Sequence, residues 1–226
     1  MTRKTNARLA GLTFLVYIAT GITQMVLWNR ATGGSGDPSA ILASIATHVS
    51  LAQVTVLLAL LQAAYAIVLG VTLYSLTRDQ DHDLALLAMS FRISEGVINA
   101  VAAARILALQ SIATGLLWSA AGDRATENAV GSLLLKTGGL GTISAICFAV
   151  ASTVFSYLFL RARSIPVALA WLGLVASVMW VVGFPLQLIG ALAGPATYVL
   201  WIPMAVFEVT FALWLIMKGV AVPVAH

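Results

Sequence analysis

Charge is scarce in this chain. Twelve Lys and Arg and eight Asp and Glu make up 9% of its 226 residues, against roughly 25% in an ordinary soluble domain. So few charges cannot cover a water-facing surface, which excludes a soluble globular fold. Cysteine is scarcer still. Cys147 stands alone, which excludes an intramolecular disulfide and a cysteine-rich metal site. Between Ile146 and Phe148 it reads as a packed, inert thiol. Histidine occurs three times, at His48 and His82 in or beside loops and at the terminal His226. No two share helical metal-ligand spacing, which argues against a haem pair, a di-iron site or an HExxH protease. No buried histidine is available as base to a serine nucleophile, and neither a GxSxG motif nor a P-loop occurs. No metal, no cofactor and no catalytic residue is expected, and the balance leans away from an enzyme.

What is present is apolar: 61% of residues are hydrophobic, and the mean hydropathy is +0.99. Lipid is the solvent this composition fits. The length suits about six spans of ~20 residues with short connections. The expected fold is all-α, a polytopic membrane protein forming one domain over residues 1–226, built as a bundle of six transmembrane helices. The spans are expected at about 9–28, 51–76, 84–105, 140–160, 166–189 and 198–217. Arg3, Lys4 and Arg8 precede the first apolar run, Leu9–Trp28, which exceeds the ~7–15 residues of a cleavable signal core. It reads as an uncleaved first helix. The Gly33-Gly34-Ser35-Gly36-Asp37-Pro38 stretch breaks it, and Pro38 opens a short surface helix through His48. The third segment stays helix-compatible from Leu84 to Trp118, roughly 50 Å against a hydrocarbon core of about 30 Å. It must project, tilt or break, and Arg105 falls near its outer interface. Asp123, Arg124 and Glu127 mark a loop, and Gly194-Pro195 a turn.

Net charge is +4, but the basic residues sit at span ends, where they set orientation rather than bind nucleic acid. Arg3, Lys4, Arg8, Arg78, Arg161, Arg163 and Lys218 lie on one side, and Arg30, Arg124 and Lys136 on the other. The first side is therefore cytoplasmic, with both termini there, and the expected location is the inner (plasma) membrane. Trp28, Trp118, Trp171, Trp201 and Tyr198 read as interface anchors. Gly141, Ala145 and Ala149 follow a small-xxx-small pattern that favours close helix packing. Pro185 and Pro203 are expected to kink the fifth and sixth spans. An oligomer is not indicated, and no internal repeat is evident.

Depth singles out one group of polar residues. Arg92 lies about 12 Å, Glu95 about 16 Å and Glu208 about 15 Å from the inner ends of their spans. Arg92 and Glu95 are spaced i, i+3 and share a helix face, and Asn99 extends it. A charge at this depth costs about 2.5–3.5 kcal/mol on insertion scales, so all three should face the interior and pair. The expectation is that Arg92 bridges Glu95 and Glu208, locking the third span to the sixth. One cation between two carboxylates leaves an excess negative charge, so either a glutamate carries a proton or a bound cation completes the set. Gln24, Gln62 and Asn99, about 21–24 Å in, and Tyr65, nearer the triad's depth, could line the same interior. Taken singly, each is more readily an ordinary interhelical hydrogen bond.

The opening Ala7-Arg8-Leu9-Ala10-Gly11, the Phe91-Arg92 with Glu95, and the closing Phe207-Glu208, Leu213-Trp214-Leu215 and Lys218-Gly219 carry a resemblance over nearly the whole chain. The chain resembles a bacterial membrane-protein family catalogued as domain of unknown function 4386. That resemblance implies a six-helix layout and emphasis on Arg92, Glu95 and Glu208, and no activity. The first functional expectation is a membrane protein that binds a lipid or small amphipathic ligand at the triad. The alternatives are a proton- or cation-coupled transporter, a purely structural assembly component and, weakest, a lipid-modifying enzyme using Glu95 or Glu208 as acid–base.

Overall fold

The structure is a computed structural model that describes residues 2–34, 36–115, 124–136, 139–192 and 196–221. Among the described residues there are eight α-helices and no strand: α1 (Arg3–Ala31), α2 (Pro38–Thr47), α3 (Val49–Thr77), α4 (His82–Ala113), α5 (Arg124–Lys136), α6 (Leu140–Ala162), α7 (Val167–Leu188) and α8 (Ala196–Met217). Among the described residues, six helical segments are long and apolar enough to cross a membrane, so the chain is a multi-pass membrane protein. The expected spans fall on α1, α3, α4, α6, α7 and α8. The Gly194-Pro195 turn, Trp118 and Asp123 lie outside the described residues, as does the side chain of Tyr198.

Local chemistry explains most boundaries. Asp37 caps α2, its carboxylate accepting from Ala40 N–H at 3.1 Å, and Pro38 supplies the pre-set φ of a first helical residue. Pro166 occupies the N-cap of α7. The third segment, expected to stay helix-compatible and to project, tilt or break, does not break before Ala113: α4 runs through 32 residues, because Ile106–Ala113 holds no breaker. One expectation needs correcting. Arg124 and Glu127, expected to mark a loop, lie in helix α5 (Arg124–Lys136), where Ala, Leu, Glu and Lys outweigh the single Gly. Helices α7 and α8 continue through Pro185 and Pro203.

The chain separates into two compact units. The first comprises Met1–Tyr17, Ala64–Gly96 and Thr142–His226; the second comprises Ile18–Ala63 and Val97–Gly141. In the second unit α2 packs on α5 through Leu42, Ile45, Val130 and Leu134, over Leu109 and Ile112 of α4. Arg105 donates to the backbone carbonyl of Leu134 at 3.3 Å.

The first unit holds the larger core. Phe211 sits at its middle, 5.3 Å from the rings of Phe159 and Phe207 and 5.8 Å from Phe14. A second aromatic group joins Trp180 to Phe148, Phe184 and Trp201. The Trp180 indole N–H donates to Leu200 O at 2.6 Å, in the turn ahead of Pro203. At one end, Arg3 reaches Asp79 at 3.3 Å and Leu76 O at 3.0 Å, and Arg161 reaches Asp81 at 3.4 Å. These exposed pairs contribute little to stability.

Between helices in lipid, association rests on fit rather than on removal from water. Gly173 shows this. A Cβ there would strike the Phe207 ring and lie 2.6 Å from Ser156 Oγ, so its absence lets α7 approach α6 and α8. The small-xxx-small stripe behaves differently along its length: Ala149 is fully buried, whereas a Cβ on Gly141 would meet nothing within 4 Å. Gly173→Leu is therefore expected to lower stability by about 1–3 kcal/mol through overpacking. Gly141→Leu should stay within about 0.5 kcal/mol of the wild type. Unfolding midpoints in detergent check the pair, and equal losses would contradict this packing.

Candidate functional site

Helix α4 carries the site. Arg92 and Glu95 lie one turn apart on a face turned fully inward, with side chains 1% exposed, and Arg92 Nη1 stands 2.7 Å from Glu95 Oε2. Gly70 of α3 makes room for this face, since a Cβ there would come within 3.0 Å of Arg92 Cβ and 3.5 Å of Met89 O. The short contact is an ion pair without hydrogen-bond alignment. Nε, Nη1 and Nη2 of Arg92 and Oε2 of Glu95 are buried without a hydrogen-bond partner among the described residues.

Two residues that the sequence did not single out complete the surroundings. Tyr17 of α1 donates its hydroxyl to Glu95 Oε1 at 2.5 Å. Its ring lies under the Arg92 guanidinium, 5.4 Å from centroid to carbon, and the Phe148 ring of α6 lies 4.9 Å away. Desolvated cation–π contacts contribute on the order of 2 kcal/mol each. Tyr17 stands nine residues beyond Arg8, about 14 Å along the helix, so the depth count that found Arg92 would also have found it. Phe148 gave no signal, being one apolar residue among many.

Glu208 of α8 is half-buried and electrostatically coupled to Arg92 and Glu95. It forms no ion pair within 4.0 Å of any described cation. The expected bridge therefore takes a different form. Arg92 pairs with the carboxylate on its own helix, and the links to other helices come from Tyr17 and Phe148, because i, i+3 spacing already brings Glu95 within reach. Tyr65 is half-buried in the same unit, and no hydrogen bond or ring contact joins it to the cluster. Gln24, Gln62 and Asn99 belong to the second unit, where Gln62 packs its amide against Gly21. Among the described residues no group of three or more His, Cys, Asp or Glu could hold a metal ion.

Over residues 9–219 the sequence matches the family described as Domain of unknown function (DUF4386). The match spans nearly the whole chain, and the chain belongs to that family. No curated protein and no solved structure matches it.

The burial of Arg92 and Glu95 sets a double-mutant test. Arg92→Leu leaves Glu95 without its cation and should cost about 3–5 kcal/mol. Arg92→Leu combined with Glu95→Leu removes both charges and should recover most of that loss. Thermal unfolding of the purified proteins reads the coupling; additive losses would mean that the two charges do not depend on each other.

Proposed function

We propose that this membrane protein is a proton- or cation-coupled carrier whose coupling site is the cluster of Arg92, Glu95, Tyr17 and Glu208. One observation carries the reading: the buried guanidinium of Arg92 pairs closely with Glu95 on its own helix, and a second carboxylate in a membrane-spanning helix, Glu208, forms no ion pair with a described cation. Arg92 and Glu95 cancel. Glu208 is left with no described cation within 4.0 Å, and a carboxylate so placed within a membrane is neutralised by taking up a proton or a small cation. Uptake and release at Glu208 switch the cluster's net charge between 0 and −1, while the Arg92–Glu95 pair stays fixed. Tyr17 holds Glu95 in its pairing position through the hydroxyl hydrogen bond.

Size supports this reading over a lipid or amphipathic ligand at the same residues. The cavity beside Arg92 has a volume of about 10 Å³, space for roughly one water. A lipid or an amphipathic ligand would require the helices to part. The excess of Lys and Arg on the side of Arg3 and Lys218 supports an orientation with both termini in the cytoplasm.

Infrared spectra of the reconstituted protein across a pH series test the proton site. The wild type should show a carboxylic-acid C=O band that titrates, and Glu208→Gln should lose it. If no titrating band depends on Glu208, the carrier reading fails. Orientation has its own test. Green fluorescent protein fused to the C-terminus should fluoresce, and alkaline phosphatase at the same place should be inactive. The opposite pattern would invert the topology.

A further inference from the structure

The small cavity of the first unit has a lining of one chemical character. Arg92, Ser152 and Ser156 supply its polar groups, and five phenylalanine rings, among them Phe155 and Phe207, supply most of the rest. Neither Glu95 nor Glu208 lines it. Arg92 is 1% exposed, and its Nε and Nη2 have no acceptor among the described residues. Ser152 and Ser156 are 8% and 2% exposed. Their hydroxyls are bonded neither to their own helix nor to another described side chain. Spaced i, i+4, they share one face of α6.

Each of these polar groups can donate, and the guanidinium can only donate. Aromatic rings add positively polarised edges. Buried donors left unmatched are costly, at about 1–3 kcal/mol each and more when charged, so the lining calls for an acceptor. A cation is repelled by Arg92, and an organic anion is too large. We propose that this cavity is a binding site for a single halide ion, held by the free N–H groups of Arg92 and the hydroxyls of Ser152 and Ser156.

A halide brings a negative charge beside a cluster that already holds two carboxylates. The site therefore rests on the protonatable Glu208 proposed above: with a proton on Glu208, the halide-bound cluster carries a net charge of −1, the same as the empty cluster with Glu208 ionised. The substrate class that follows for the carrier is a monatomic anion accompanied by a proton.

The test is the unfolding midpoint of the detergent-purified protein in sodium chloride, sodium bromide and sodium gluconate at equal ionic strength. The wild type should show a saturable upward shift in the two halide salts. The Ser152→Ala, Ser156→Ala double variant, which removes two hydroxyls and no charge, should lose that shift. An identical midpoint in all three salts, or a halide shift that survives in the double variant, would overturn the site and leave a lone water as its occupant. Should the double variant not fold, chloride-35 line broadening by the wild type decides: relief by bromide supports the site, and no broadening overturns it. A carboxyl band that titrates without any halide effect sinks the anion site alone. A halide shift without a titrating carboxyl sinks the charge balance on which the coupled reading depends.

Discussion

Arg92 carries a full positive charge with 1% of its side chain exposed, and the first unit is arranged around that constraint. A guanidinium cannot shed its proton, so its charge has to be met in place. Glu95 meets it from the same helix at 2.7 Å. Tyr17 then holds Glu95, and the rings of Tyr17 and Phe148 contact the guanidinium. This order of dependence explains why the ion pair itself joins no two helices. It creates a charged, shaped face on α4, and the neighbouring helices dock on it with a hydroxyl and two π-faces.

Close approach is the second requirement, and small residues meet it. Gly70 admits Arg92 next to α3, Gly173 admits Phe207 and Ser156 next to α7, and Gly11 lies against Ala212 O of α8. In lipid a larger side chain at these points would gain nothing from leaving water, while it would prevent the contacts that hold the helices together. The same fit leaves a cavity near one water in size beside Arg92.

The sequence made the helices legible because lipid imposes a length: an apolar run near 20 residues has few other uses. It made Arg92, Glu95 and Glu208 legible because charge at that depth is costly and therefore stands out. It hid whatever is chemically ordinary. Tyr17 passed as one more aromatic in an apolar run, although its position along α1 matched the charged residues. Phe148 and Gly70 resemble dozens of neighbours, and only the packed helices single them out. Gly141 shows the converse. Ala149 of the same small-residue stripe is fully buried, whereas a Cβ on Gly141 would meet nothing within 4 Å, so the stripe states that a face could pack closely, not that a neighbour is there along its whole length. Arg105 was expected near the outer interface; that it reaches the Leu134 carbonyl of α5 was hidden, because α5 itself could not be read from a short, mixed stretch.

The first unit is assembled from three separated stretches of chain, Met1–Tyr17, Ala64–Gly96 and Thr142–His226. Synthesis runs from the N-terminus, so Arg92 and Glu95 leave the ribosome before Phe148 and well before Glu208 exist. At that moment Tyr17 is the one member of the cluster already made on another helix. The nascent chain must hold two charges at the membrane with a single phenol for company until α6 emerges. Membrane insertion of this protein is thus an order-of-arrival problem, and the pairing of Arg92 with Glu95 on one helix lets α4 enter as a locally neutral segment before its permanent neighbours arrive.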